Sequence, residues 1–249
     1  MTWPSDFINK VICGDCLEVM NRIPAESIEL ILCDLPYGLT KNKWDKAIPL
    51  EKLWEEYERI LKRNGVVILF GQGRFTHSIV DSNLKSWRYN LIWDKALVSG
   101  FLNANKRPLQ QHEDIIIFYK LPPTYNPQKT KGNISHSRGK NPQHTSPTYK
   151  IKDHLDRHKE LGCLKHPTTI LKFRRPAPSC SLHEAEKPIG LCEYLIKTYT
   201  NKEDLVLDNC AGSGSTLIAA KNTKRNFIGI EINPDYCKIA EERLAQGVL

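Results

Sequence analysis

The chain has 249 residues, 40% hydrophobic and 26% charged, ordinary for a soluble globular protein and enough for one large α/β domain or a core domain plus a small module. Its formal net charge of +8 and sequence pI near 9.0 point to an anionic partner. No apolar run approaches the roughly 18 residues of a membrane span, and the first residues lack a basic region followed by an apolar core, so the expectation is a cytoplasmic protein with no membrane partner.

Residues 10–13 read as a short strand and 16–21 as a short helix that Pro24 ends. Ile28-Glu29-Leu30-Ile31-Leu32-Cys33 is almost wholly apolar, as in a parallel strand buried on both faces. Over 50–62, Leu53, Trp54, Tyr57, Ile60 and Leu61 recur with a helical period, and Asn64-Gly65 is expected to close that helix. A buried strand at 66–70, a helix at 74–84, and strands at 89–93 and 115–119 follow. Strands alternating with helices predict an α/β fold with a Rossmann-like, doubly wound, mostly parallel sheet.

Composition changes after residue 120. Residues 121–180 hold 12 Lys+Arg against 3 Asp+Glu and five of the eight histidines, which leaves the remainder of the chain close to neutral. Such a stretch reads either as a disordered basic insertion or as a small irregular module that grips nucleic acid. The second reading is favoured, because Tyr125, Tyr149, Ile170, Leu171 and Phe173 give the stretch something to pack. Regular structure resumes with a helix over 184–200, a strand at 205–207, a loop at 208–215 and a helix to 222. A strand at 227–230 and a last helix over 234–245 complete the chain.

Cysteine use excludes one class of site. Cys13 and Cys16, two of the 8 cysteines, have C-x-x-C spacing, but no second pair and no H-x-x-x-H follows at the spacing of a zinc finger. No metal is expected, and the cysteines read as small, buried, reduced residues.

Asp208-Asn209-Cys210-Ala211-Gly212-Ser213-Gly214-Ser215 joins an apolar strand to an apolar helix. Glycines there let the backbone turn tightly and approach a ligand that a Cβ would exclude. The next strand ends at Glu231, 23 residues after Asp208, about the spacing at which a carboxylate accepts hydrogen bonds from a ribose. The third glycine of a dinucleotide fingerprint is missing. The loop therefore fits an adenosine joined to an amino acid, S-adenosylmethionine, better than NAD.

Asp34-Leu35-Pro36-Tyr37-Gly38 follows directly on the apolar strand 28–33. In an open α/β sheet ligands bind beyond the carboxyl ends of the strands, which puts this loop and the glycine loop on one side of the molecule. The motif resembles that of the amino-directed DNA methyltransferases, Asp/Asn/Ser-Pro-Pro-Tyr/Phe/Trp. The chemistry accounts for the residue types. An adenine N6 lone pair is delocalised into the ring; Asp34 and the backbone carbonyl of Leu35 can accept its two N–H bonds and localise that pair. Pro36 stiffens the loop, and Tyr37 offers a ring face on which an extruded base stacks. Leu35 departs from the double-proline pattern, which a main-chain role tolerates.

Other segments extend the resemblance. Gly14-Asp15 is similar to the family's acidic contact to the cofactor adenine. Residues 59–65 leading into 66–70 resemble its helix-turn-strand. His183-Glu184-Ala185-Glu186-Lys187-Pro188 resembles its H-x-x-x-K-P element, which packs against the methionine end of the cofactor. Asn233-Pro234-Asp235-Tyr236 after Glu231 is also typical. The order, catalytic loop first and glycine loop last, is that of the β group, a circularly permuted Rossmann-like methyltransferase fold.

The resemblance implies three parts: residues 1–120 as the catalytic half, 121–182 as an inserted target-recognition region, and 183–249 as the cofactor-binding half. It implies Asp34, Leu35, Pro36 and Tyr37 as catalytic residues. Asp15, His183, Lys187, Pro188, Asp208, Asn209, Cys210, Gly212, Ser213, Gly214, Ser215, Glu231 and Asn233 would hold S-adenosylmethionine and, after transfer, S-adenosylhomocysteine. Double-stranded DNA is the implied partner, with a cognate restriction enzyme where the enzyme is half of a restriction–modification pair, acting as a monomer or homodimer. Asp34 favours adenine N6 over cytosine N4, and Trp44 suits either a place over the DNA or a core position. NAD-linked oxidoreduction would share the sheet and Glu231 but not the Asp34 loop. A non-catalytic DNA-binding protein would need only the basic stretch and leaves both loops unexplained. Methylation of RNA or of a protein glutamine amide uses a similar tetrapeptide, but the permuted order and large basic insertion favour DNA.

Overall fold

The computed structural model describes residues 1–37, 47–132, 164–175 and 186–246. They form ten strands and six α-helices: β1 (Lys10–Cys13), α1 (Cys16–Met20), β2 (Ile28–Cys33), α2 (Leu50–Ile60), β3 (Leu61–Gly71), α3 (Arg74–Ser82), β4 (Trp87–Ser99), β5 (Gln110–Phe118), β6 (Thr130–Lys131), β7 (Leu164–Lys165), β8 (Ile170–Lys172), α4 (Ile189–Tyr199), β9 (Leu205–Asp208), α5 (Ser215–Asn222), β10 (Asn226–Glu231) and α6 (Pro234–Ala245). No described helix is long and apolar enough to cross a membrane.

Eight strands form one sheet in the order β1-β10-β9-β2-β3-β5-β4-β8. β1, β10, β9, β2 and β3 are mutually parallel, and β5 runs against both β3 and β4. The expected mostly parallel α/β sheet is what the chain builds. The antiparallel β5 was not foreseen, although residues 100–109 hold only one short helical turn, and a parallel return needs a longer crossover.

β2 shows why the parallel strands read as continuous apolar runs. Successive side chains point to opposite faces. Ile31 and Cys33 enter a core with Phe7, Met20, Leu53, Trp54 and Tyr57, contributed by the N-terminal segment, α1 and α2. Leu30 and Leu32 enter a second core with Leu191, Leu195 and Leu217, contributed by α4 and α5. Both faces are covered from Leu30 to Cys33, so an unpaired polar group there would be costly.

Two expectations change. Asn64-Gly65 does not cap α2, which already ends at Ile60 with Leu61 extended (φ −74°, ψ 135°). Leu61 pairs with Ile28, and the register resumes only at Leu30 with Val66, so residues 62–65 form a bulge. Gly65 is needed there because a Cβ would lie 2.6 Å from Leu61 Cγ. Of the residues expected to pack the basic stretch, Ile170, Leu171 and Phe173 serve the sheet instead, Tyr125 is exposed with its ring 6.1 Å from that of Tyr199, and Tyr149 lies outside the described residues. β8 pairs with β4, Leu171 is buried in the second core, Phe173 packs against that core, and Ile170 is exposed.

The chain divides into two compact units, residues 1–126 with 169–249, and residues 127–168. Within the second, the described part is the antiparallel pair β6–β7, which joins Thr130 to Lys165 and Lys131 to Leu164.

Candidate active site

The parallel strands deliver the candidate residues to one edge. Asp15 lies just beyond β1, Glu231 ends β10, the 208–215 loop follows β9, and residues 34–37 follow β2. The connections diverge between β9 and β2: from β9 the chain moves to β10, and from β2 to β3. That switch point is where an open α/β sheet leaves a crevice. Glu231 and Asp34 stand two strands apart across it, roughly 10 Å.

On the glycine-loop side, backbone N–H groups fix the acid. Gly212 N–H donates to Glu231 Oε2 at 2.8 Å, and Asn233 N–H to Oε1 at 2.9 Å. A carboxylate has about four acceptor positions, so capacity remains for two further donors. Gly212 adopts a left-handed φ of +50°, and the place a Cβ would occupy is open, with no atom within 4 Å. Gly214, also left-handed, lets α5 start 3.0 Å from Ala240 Cβ of α6, measured from where its own Cβ would stand. Asp15 caps α1, accepting from Leu17 N–H at 2.8 Å. Asn233 caps α6 through Asp235 N–H at 2.9 Å.

Several loop residues are committed inward. Asn209 is buried and accepts the Tyr57 hydroxyl at 2.5 Å, so only its main chain is free to meet a ligand. Asp208 is buried and accepts from Cys210 N–H at 3.1 Å; burial pushes its carboxyl up to about 6. Ser213 is held by Arg243 of α6, which donates to its hydroxyl at 2.9 Å and its carbonyl at 2.7 Å.

On the Asp34 side, charges alternate through a largely buried row. Lys187 donates to Asp34 Oδ2 and lies 3.5 Å from Glu113 Oε2. Lys95 donates to Glu113 Oε1 at 3.2 Å. Glu113 Oε2 receives no hydrogen bond from the described residues, so its contact with Lys187 is purely ionic. Lys187 Nζ also sits 5.0 Å from the Phe70 ring centroid, a cation–π contact. Burial pushes the Asp34 carboxyl above its usual range, and Glu113 adds to that while Lys187 opposes it. Burial acts the same way on Glu113, but Lys187 and Lys95 together hold it below the usual range. Burial would depress Lys187, yet the two carboxylates keep its ammonium above the ordinary value.

The remaining loop residues follow. Tyr37 donates its hydroxyl to Asp34 Oδ1 at 3.3 Å, and its ring lies 4.3 Å from that of Phe75 at 30°. Leu35 is buried in the first core, which leaves its main chain for the crevice. Lys187 was expected against the cofactor's methionine end; its ammonium lies on Asp34. Its neighbour Glu186 accepts from Ser215 at 3.2 Å and from Arg243 at 2.7 Å. With Pro188 capping α4, residues 186–188 therefore tie the Asp34 loop to the glycine loop. His183 and Trp44 lie outside the described residues.

Sequence reasoning missed Lys95, Glu113, Phe75 and Arg243. Only Glu113 carried a signal: Glu113-Asp114 directly precedes the wholly apolar Ile115–Phe118, and acids entering a buried strand need partners.

A permuted α/β sheet with an acid-and-glycine edge on one side of its switch point and a braced carboxylate on the other defines a cofactor-dependent enzyme of nucleotide-like chemistry. A family model described as DNA methylase, grouping N6- and N4-methyltransferases, matches residues 28–242, and the chain belongs to that family. It is 27% identical over 255 residues to Type II methyltransferase M.HpaI of Haemophilus parainfluenzae, covering 94% of this chain and 74% of that protein. It is likewise 27% identical over 259 residues to the DNA adenine methyltransferase YhdJ of Escherichia coli K12, covering 97% and 85%. Among solved structures, the M1.HpyAVI–SAM complex shares the fold with a TM-score of 0.63 at 24% identity, covering 94% of this chain and 98% of that one.

Proposed function

We propose that the chain is a site-specific DNA methyltransferase that methylates adenine N6 in duplex DNA, using S-adenosylmethionine. The observation that carries this is Asp34 itself: a carboxylate at the end of β2, gripped by Lys187 and Tyr37, two strands from an acid that retains acceptor capacity.

The residues present fit the cofactor. The open space over Gly212 admits a ligand against bare backbone, and Glu231 has positions left for two ribose hydroxyls. Asp15 would take the cofactor's adenine amine, and the main chain of residues 209–213 its amino-acid end. When bound, S-adenosylmethionine supplies a sulfonium-activated methyl group.

The chain's own residues prepare the acceptor. Asp34 and the Leu35 carbonyl accept the two N6 hydrogens and turn the nitrogen lone pair out of conjugation. The buried Asp34 carboxyl, more basic than an ordinary aspartate, then takes the proton the nitrogen releases as it becomes N-methylated. Tyr37, backed by Phe75, stacks the extruded base. Most of the rate enhancement comes from positioning. The basic stretch, 121–182, is the segment we assign to target recognition. Its cations supply affinity without sequence information, and base readout falls to a few of its side chains.

The test is incubation with labelled S-adenosylmethionine and duplex DNA, followed by digestion to nucleosides. Label in N6-methyldeoxyadenosine is expected; label only in N4-methylcytosine, the other acceptor of the family, or in neither, overturns the reading. Asp34→Ala should retain cofactor binding and lose transfer by roughly 10²–10⁴-fold. Equal loss of both would assign Asp34 to the fold or the cofactor.

A further inference from the structure

β4 and β5 outrun β3. Gly71, the last residue of β3, is level with Asp114 of β5, yet the β4–β5 pairing continues through Glu113 and His112 and, past a bulge at residues 95–98, ends with Ser99 opposite Gln110. At about 3.3 Å per residue the hairpin extends roughly 13 Å beyond that strand end.

Its tip has defined structure. Gly100 is left-handed (φ 87°) and opens one tight helical turn, Phe101–Asn103. Asn103 N–H donates to Gly100 O at 2.9 Å, and Lys106 and Arg107 N–H groups both donate to Asn103 O, at 2.9 and 3.0 Å. On that turn Phe101 is 66% exposed and Leu102 100% exposed. Large apolar groups held clear of any core mark an interaction site.

Charge identifies the partner. Lys106 and Arg107 are exposed on the tip itself. Lys172, level with Asp94 of β4, and Arg174 just beyond it are exposed on the adjacent strand end. An apolar point among cations matches a nucleic-acid duplex, whose phosphates take the cations and whose base steps accept an apolar wedge.

We propose that the 100–107 tip is a DNA wedge. Phe101 and Leu102 enter the stack at the target site and fill the gap left by the extruded base, while Lys106 and Arg107 hold the flanking phosphates. This rests on the methyltransferase reading, since an adenine brought to Asp34 must leave a duplex lying over this edge.

The experiment uses the full chain and two duplexes, one with the target adenine paired and one with an abasic site opposite it. The Phe101→Ala/Leu102→Ala variant should lose about tenfold or more in kcat/KM on the paired duplex, the scale of a lost unstacking contact. It should approach wild type on the premelted one, with cofactor binding unchanged. Lys106→Ala/Arg107→Ala should weaken binding to both duplexes and lower the salt slope by about 2. Equal loss on both duplexes, or no loss, overturns the wedge. A changed oligomeric state with unchanged DNA kinetics overturns it in favour of a protein interface. Failure of wild type on both duplexes would instead indict the methyltransferase reading.

Discussion

Lys187 is shared between two carboxylates, and their competition gives opposite predictions for their removal. Asp34 must be ionised to accept an amine hydrogen, so transfer falls on the acid side as its carboxyl protonates. Lys187 favours the ionised form, and Glu113, an anion, disfavours it. Lys187→Met should therefore move the acid limb of the kcat–pH profile to higher pH. Glu113→Gln should move it to lower pH, since the neutral amide no longer repels the Asp34 charge. Both profiles are measured at saturating cofactor and DNA; shifts in the same direction would break the charge row as described. Such a row is costly to interrupt, because removing one partner strands a poorly hydrated charge.

The start of β3 shows what an element owes to a close approach. If Gly65 serves the bulge, Gly65→Ala drives a methyl group into Leu61 and costs about 1–3 kcal/mol in urea unfolding. Leu61→Ala in the same chain should recover much of that loss, a coupling that a helix cap would not produce. β2 and α6 were legible to the residue because one is a pure apolar run and the other opens on Asn233-Pro234, a capping signal. The ends of β4 and β5 were not. The outer part of β5 is polar, while that of β4 exposes Ala96, Leu97 and Val98 and departs from the ladder between Asp94 and Ser99, so no buried apolar period announces them.

At the scale of the molecule, the two loops could be placed on one edge from the order of strands and loops alone. The brace between them could not: Lys187 and Asp34 are 153 residues apart in sequence, and no local pattern states which carboxylate a lysine will meet. The same long reach governs the sheet. Among the described residues β1 pairs only with β10, and β2 is flanked on one side by β9, so these strands are completed by segments made well over a hundred residues later. At roughly 5–20 residues per second, β1 waits about 10–45 s for residue 231 to be made. Throughout that interval the apolar edge of β2 has no neighbour on the β9 side, an invitation to mispairing. Nascent chains arrested before residue 205 should be cleaved by protease as fast as an unfolded chain, and protection should appear only once β9 and β10 are free to dock; early protection of residues 1–126 would refute this. The sheet that sets the acid of one loop opposite the carboxylate of the other thus leaves unfinished chains with an open pairing edge until β9 is made.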